Sequence, residues 1–199
     1  MRFPDKVVLA TRNLGKQAEL HRILLARGIA CDVLTLADFP DYTDDVIEDA
    51  ADFEGNALLK AKAAHAAMGV AALADDSGLC VDALNGMPGV LSARWSGGRD
   101  DALNVNLVLA QLRDVPDGRR TAAFVAAVAF VADDATVVTR GEMRGAIIRE
   151  PRGSGGFGYD PIFVAEGLQH TNGEIEPAEK DARSHRRQAI DALLDSMTS

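Results

Sequence analysis

The stretch "TAAFVAAVAFV", from Thr121 to Val131, is apolar at odd and even positions alike. Successive side chains of a strand point to opposite faces. A strand apolar on both faces must be covered on both, which places it inside a sheet. "ADDAT" follows, and Val137 to Ile148 then returns, which reads as a hairpin. Elsewhere strands and helices alternate. Lys6 to Ala10 reads as a strand, and a helix runs from Asn13 to a stop at Gly28. Cys31 to Leu36 reads as a second strand, Asn56 to Met68 as a helix closed by Gly69, and Val70 to Ala74 as a short buried strand. Asp100 to Leu112 and a last segment through Leu193 and Leu194 read as further helices. An antiparallel hairpin among alternating elements predicts an α/β protein with a mixed β-sheet flanked by helices, not a doubly wound parallel sheet. No repeat, low-complexity segment or linker interrupts the chain, so residues 1–199 read as a single domain.

Composition narrows the function. Lys and Arg number 21 against 30 Asp and Glu, a net charge of −9. A protein that coats nucleic acid carries a basic footprint, so nucleic acid is not an expected partner. An anionic small molecule remains compatible, because a few cations lining a site can focus the local field. Cys31 and Cys80 form no C-x-x-C pair and read as reduced, buried thiols. No run of about 18 apolar residues occurs, so no membrane span is expected. "MRFPDKVVLA" lacks the apolar core of a secretory leader, and the expected location is the cytoplasm.

Five segments carry residues suited to chemistry. "TRNLGK", Thr11 to Lys16, lies at the first strand-to-helix turn. The helix start offers amides and a positive dipole end to an anion, and Thr11, Asn13 and Lys16 could add their side chains. A P-loop needs G-x-x-x-x-G-K-[ST], whereas this turn has one glycine and Gln17 after the lysine. The plain alternative is an Asn-capped helix with a surface lysine. "ADDSGL" sets Asp75 and Asp76 at the end of an apolar strand, with Gly78 permitting a sharp exit. Such oxygens suit Mg²⁺, and a carboxylate can act as a base toward water. Neighbours on an extended chain face opposite ways, so the two aspartates are expected to do different jobs. A polar turn is the alternative.

The acidic run with Asp44, Asp45, Glu48 and Asp49 offers another metal ligand, or else a solvated surface. "GSGGFGYDPIF" surrounds Phe157 and Tyr159 with glycine, which admits close backbone approach, while a ring offers a flat face to a base. Lys180, Ser184, His185 and Arg186 suit phosphate or carbonyl oxygens, or else form a charged helix start capped by Ser184. Ser77 has no G-x-S-x-G setting, and His21, His65 and His170 form no H-E-x-x-H.

Taken in order, "TRNLGK", "FEGNALLKA", "ADDSGLCVDALNGMPGVLSARWSG", "GGFGYDPIF" and "K…SHR" resemble the inosine triphosphate pyrophosphatase family over nearly the whole chain. That resemblance implies an elongated mixed sheet in two lobes with a central cleft, a homodimer, and a Mg²⁺ requirement. It implies cleavage between the α- and β-phosphates of XTP, ITP or dITP, which cleanses the nucleotide pool. Carried over by motif, Thr11, Arg12, Asn13, Leu14, Gly15 and Lys16 hold the triphosphate. Asp76 becomes the catalytic carboxylate and a metal ligand, with Glu48 as the second, although Ala50 stands where the family often has glycine. Ser77 touches substrate, and Phe157, Gly158, Tyr159, Asp160, Lys180, His185 and Arg186 recognise the base.

The implied chemistry is coherent. Phosphoryl transfer is mostly positioning and neutralisation of charge. Hypoxanthine and xanthine carry a 6-oxo acceptor where adenine carries an amino donor. Donors from His185, Arg186 or backbone amides would lie unpaired against adenine. Two other readings stand beside this one. A Maf-type nucleotide pyrophosphatase would have a similar architecture and another base preference. A non-catalytic nucleotide sensor would not need the acidic pair.

Overall fold

Residues Ala122 to Val131 are buried without a break, as a strand apolar on both faces requires. The protein is described by a computed structural model over residues 2–43 and 46–198. In chain order it contains β1 (Lys6–Leu9), α1 (Leu14–Ala26), β2 (Asp32–Thr35), α2 (Phe53–Met68), β3 (Ala72–Val81) and α3 (Asp101–Gln111). There follow β4 (Thr121–Ala132), β5 (Ala135–Ile147), β6 (Phe163–Ala165), α4 (Pro177–Arg183) and α5 (His185–Thr198). The strands form one sheet in the order β2-β1-β3-β4-β5-β6. β1 pairs parallel with β2 and with β3. β5 and β6 are antiparallel, with Gly145 opposite Ala165 and Ile147 opposite Phe163. β4 and β5, neighbours joined through Asp133 and Asp134, make the hairpin. The sheet is therefore mixed, as the alternation and the hairpin together require.

The chain divides into two compact units. The first comprises Met1–Asp76, Ala126–Gly141 and Arg186–Ser199, and the second Ser77–Val125 and Glu142–His185. The first unit's core joins Val7 of β1, Leu20 and Leu24 of α1, Leu73 of β3, Phe130 of β4 and Leu193 of α5. The second unit's core joins Leu79, Val108, Leu112, Phe124, Ile162 and Phe163. Full burial of each large apolar side chain contributes roughly 1.5–3 kcal/mol. Among the described residues no helix is long and apolar enough to cross a membrane. Cys31 and Cys80 are half-buried rather than buried and form no disulfide. Burial, with Asp32 and Asp5 adding to it, pushes the Cys31 thiol up to about 11.

Two local differences from the pattern reading matter for the site. α2 begins at Phe53, because the side chain of Asp52 accepts from the N–H of Gly55 at 2.7 Å. Its buried face is Phe53, Asn56, Ala57, Ala61 and Ala64. Lys60 lies four residues beyond Asn56 and so on the same side of the helix. The second difference is β3, which does not end at the acidic pair. It continues through Asp75, Asp76, Ser77 and Gly78 to Val81. Gly78 serves close packing rather than a turn, since a Cβ there would collide with Ser92 Oγ and Gly89 O. Ser92 Oγ in turn accepts from the N–H of Leu79 at 2.8 Å.

Candidate active site

The turn after β1 is built as a capped helix start. Asn13 Oδ1 accepts from the N–H of Gly15 at 2.8 Å and of Lys16 at 3.3 Å. The Asn13 N–H donates to Thr11 Oγ1 at 3.2 Å. Those helix-start amides are thus spent inside the turn instead of facing an anion. Asn13 Nδ2 remains a donor with no partner among the described residues. Arg12 ties the turn down through Nη2 to Tyr42 O at 2.8 Å and Nη1 to Leu36 O at 3.4 Å. Leu14 is largely exposed.

Lys16 Nζ lies 2.8 and 2.9 Å from the two oxygens of Asp75. Arg186 Nε donates to Asp75 Oδ2 at 3.0 Å, and Nη1 to Glu19 Oε2 at 3.2 Å. Two half-buried cations and two buried carboxylates, all in the first unit, thereby form a balanced set. Burial alone would raise the Asp75 pKa, but Lys16 and Arg186 outweigh it and hold the carboxyl well below its ordinary range. Burial would likewise lower Arg186, and Asp75 and Glu19 outweigh that. The family pattern assigns Arg186 to the base. The structure places its guanidinium against Asp75 and Glu19. Glu19 escaped the pattern reading. Its one sequence signal is a spacing of three from Lys16 on α1, which sets both on one helix face.

Asp76, on the opposite face of β3, meets a different group. Asn56 Nδ2 donates to Asp76 Oδ2 at 3.0 Å, and Asn56 Oδ1 accepts from the N–H of Ala50 at 3.0 Å. The buried Asn56 therefore ties the acidic run to the carboxylate. Lys60 Nζ lies 2.9 Å from Glu48 Oε1 and 3.4 Å from Asp76 Oδ1. Burial raises the Asp76 pKa, and Lys60 and Asn56 offset only part of that. Lys60 stays above its ordinary value, since Asp76 and Glu48 outweigh its burial. Glu48 and Asp76 thus converge on one cationic position, which the Lys60 ammonium fills. Among the described residues no three acidic, His or Cys side chains gather as a metal cluster. Mg²⁺ is commonly held by one or two carboxylates with water and substrate phosphates supplying the rest, so this pair fits it. Asp44 and Asp45 lie outside the described residues.

The glycine-rich loop is organised in the second unit by Asp160, which is buried. Its Oδ2 accepts from the N–H of Phe157 at 2.9 Å and from Lys180 Nζ at 2.5 Å, and its Oδ1 from Asn172 Nδ2 at 3.2 Å. Lys180 Nζ also stands 4.7 Å from the centre of the Phe157 ring. That ring is 68% exposed and offers an open apolar face. The Gly158 N–H is taken by Asp101 Oδ2 at 2.8 Å. The Tyr159 hydroxyl donates to Ser92 O at 2.8 Å, and burial holds its pKa well above the ordinary tyrosine value. Tyr159 and Asp160 thus brace the loop, while Phe157 and Lys180 remain to meet a ligand. The His185 ring stacks on Phe124 with centroids 5.3 Å apart and planes at 17°. Ser77 follows Asp76 in β3 and is half-buried.

Gly156 has φ +72, and a Cβ there would run into the Asp160 carboxylate. Gly156→Ala is therefore expected to displace Asp160 from Phe157 and Lys180. It should raise the KM for a base-bearing substrate by about tenfold, while changing kcat less, because the loop would bind but not react. Steady-state kinetics checks this, and an unchanged KM would remove the loop from binding.

The model of the Ham1 family matches residues 7–196. A dITP/XTP pyrophosphatase of Nocardia farcinica is 54% identical over 197 residues, covering 98% of this chain and 95% of its own. One from Mycobacterium tuberculosis H37Rv is 53% identical over 201 residues, covering 100% and 98%. Among solved structures, the nucleoside-triphosphatase (dITP/XTP pyrophosphatase) of Mycobacterium abscessus superposes with a TM-score of 0.80 at 53% identity, covering 95% of this chain and 97% of its own. A HAM1 protein from Coxiella burnetii superposes with a TM-score of 0.88 at 40% identity, covering 97% and 98%.

Proposed function

The chain belongs to the Ham1 family, and on that premise we propose that it hydrolyses the noncanonical purine triphosphates XTP, ITP and dITP to monophosphate and pyrophosphate. The observation that carries this reading is the division of labour between two adjacent carboxylates. Asp75 is spent on Lys16 and Arg186, whereas Asp76 faces Glu48, Lys60 and Asn56. The dITP/XTP pyrophosphatases that match nearly the full chain support the substrate class.

The residues divide the work as follows. Asp76, raised by burial, is the base that orients and deprotonates the attacking water. Lys16 and the Asn13 amide meet phosphate oxygens, and Asp75 holds the lysine in place. Glu48 and Asp76 would hold Mg²⁺, which when bound neutralises charge on the phosphates. Phe157 supplies the stacking face for the purine. Lys180 carries donors only, so it favours a 6-oxo acceptor and repels the 6-amino group of adenine. The resemblance further supports a homodimer working in the cytoplasm.

Purified protein given ITP or XTP with Mg²⁺ is expected to release pyrophosphate, at a kcat/KM about 10²-fold or more above that for ATP. Release of orthophosphate would make the protein a phosphatase instead. Preference for pyrimidine triphosphates would favour the Maf-type reading, and ITP binding without turnover would favour a sensor. Omitting Mg²⁺ should abolish turnover, and full activity in chelator would remove the metal from the mechanism.

A further inference from the structure

A cavity of about 340 Å³ in the second unit is lined by Asn106, Leu109, Ala110, Arg113, Arg120 and Arg149. Among the described residues no carboxylate lines it, in a chain whose acids outnumber its bases 30 to 21. Arg120 is only 2% exposed. Its Nε donates to Ile147 O at 2.8 Å, Nη1 to Leu112 O at 2.6 Å and Nη2 to Ile148 O at 2.9 Å. These carbonyls fix the guanidinium but bring no full negative charge. Burial and the neighbouring Arg149 both act against its charged form, and Asp117 offsets only part of that. Arg149 Nε pairs with Asp117 Oδ1 at 2.7 Å. The Arg113 side chain has no hydrogen bond or ion pair among the described residues. Three guanidinium groups therefore share one carboxylate around one hollow.

Each guanidinium has five N–H donors. Arg120 spends three on carbonyls, and Arg113 spends none. Spare planar donors match the oxygens of a phosphate group, and the buried Arg120 fixes one fork of donors at the floor of a hollow whose rim, Asn106, Ala110, Arg113 and Arg149, is exposed. The volume falls within the range of small-molecule sites, roughly 300–1,000 Å³, and is more than one orthophosphate fills. We propose that this cavity is a second binding site, taking a phosphoanion of about the size of pyrophosphate. Two sources share that chemistry: inorganic pyrophosphate, and the phosphate end of a nucleoside monophosphate. The site stands apart from the hydrolytic reading, because its residues belong to none of the groups assigned to turnover.

The test is a ¹H–¹⁵N NMR titration at constant ionic strength with sodium phosphate, sodium pyrophosphate or IMP. Saturable shifts are expected in the side-chain N–H signals of Arg113, Arg120 and Arg149 and in the amide of Asn106. The anion that saturates them identifies the source. Arg113→Glu removes an exposed side chain with no partner, so the fold and basal hydrolysis of ITP should be unchanged. That variant should weaken binding at this site by about tenfold or more, the loss of a charge-assisted hydrogen bond. Shifts at Asn13 and Lys16 report any separate binding at the turn after β1 and should persist in the variant. Non-saturating shifts with all three anions, or saturable ones unaltered in Arg113→Glu, would overturn the second site. The readout is binding rather than turnover, so a failed hydrolysis assay would leave it interpretable.

Discussion

Asp76→Asn is expected to lower kcat for ITP by about 10³-fold or more while leaving the folded protein at least as stable as the parent. The first half follows from the role of a positioned base, whose loss removes proton transfer from the attacking water. The second half follows from the direction of its pKa. Burial raises the folded value above the unfolded one, so at neutral pH the ionised form costs stability. Asparagine removes that cost and keeps an oxygen that can accept from Asn56. Stability bound up in this way at a reacting group is commonly released when the group is neutralised. Circular dichroism and thermal unfolding measure the second half, and pyrophosphate release measures the first. Turnover within tenfold of the parent would move the base elsewhere. A large drop in Tm would mean that Asp76 is a structural carboxylate.

Which parts of this arrangement were legible in the sequence depends on how local their causes are. The two-faced apolar run of β4 dictates its own burial, and the hairpin follows from the short acidic turn after it. The opposite facing of Asp75 and Asp76 is equally local, since it is a property of extended backbone. The end of β3 was misplaced because two carboxylates and a glycine interrupt the apolar pattern. The strand continues through them because partners from α1, α2 and α5 meet the two carboxylates in place. Lys60 was invisible for the reverse reason. A lysine on a helix rich in alanine ordinarily points to water, and although the motif "FEGNALLKA" includes Lys60 and not Lys62, periodicity and composition do not separate the two. Only the approach of β3 and the acidic run to the Asn56 side of α2 makes it a member of the site. β6 has three residues and is held by pairing with β5, so its pattern is too short to read.

The neighbouring substitution, Asp75→Asn, is expected to do the opposite of Asp76→Asn. Asp75 is the shared partner of Lys16 and Arg186, and it is buried. Removing the buried partner of an ionic set leaves the others uncompensated, at a cost of about 3 kcal/mol or more. For a chain of this size that lowers Tm by about 6 °C or more. Glu19 alone would then face Arg186, and Lys16 would lose the contact that holds it where the proposed function needs it. The KM for the triphosphate should therefore rise along with the loss of stability. The pH dependence separates this from simple mispacking. The folded pKa of Asp75 lies below its ordinary value of 3.8, so its contribution is fully present above that pH and fades only as pH falls further below it. The difference in stability between parent and variant should thus hold constant from neutral pH down to about 4 and shrink below it. A difference that vanishes already near pH 6, or a Tm equal to that of the parent, would mean that the four charges do not act as one unit. Asp75→Glu keeps the charge but lengthens the side chain by one methylene, and should recover part of both losses. If asparagine and glutamate prove equally damaging, shape rather than charge holds Lys16 and Arg186 in place.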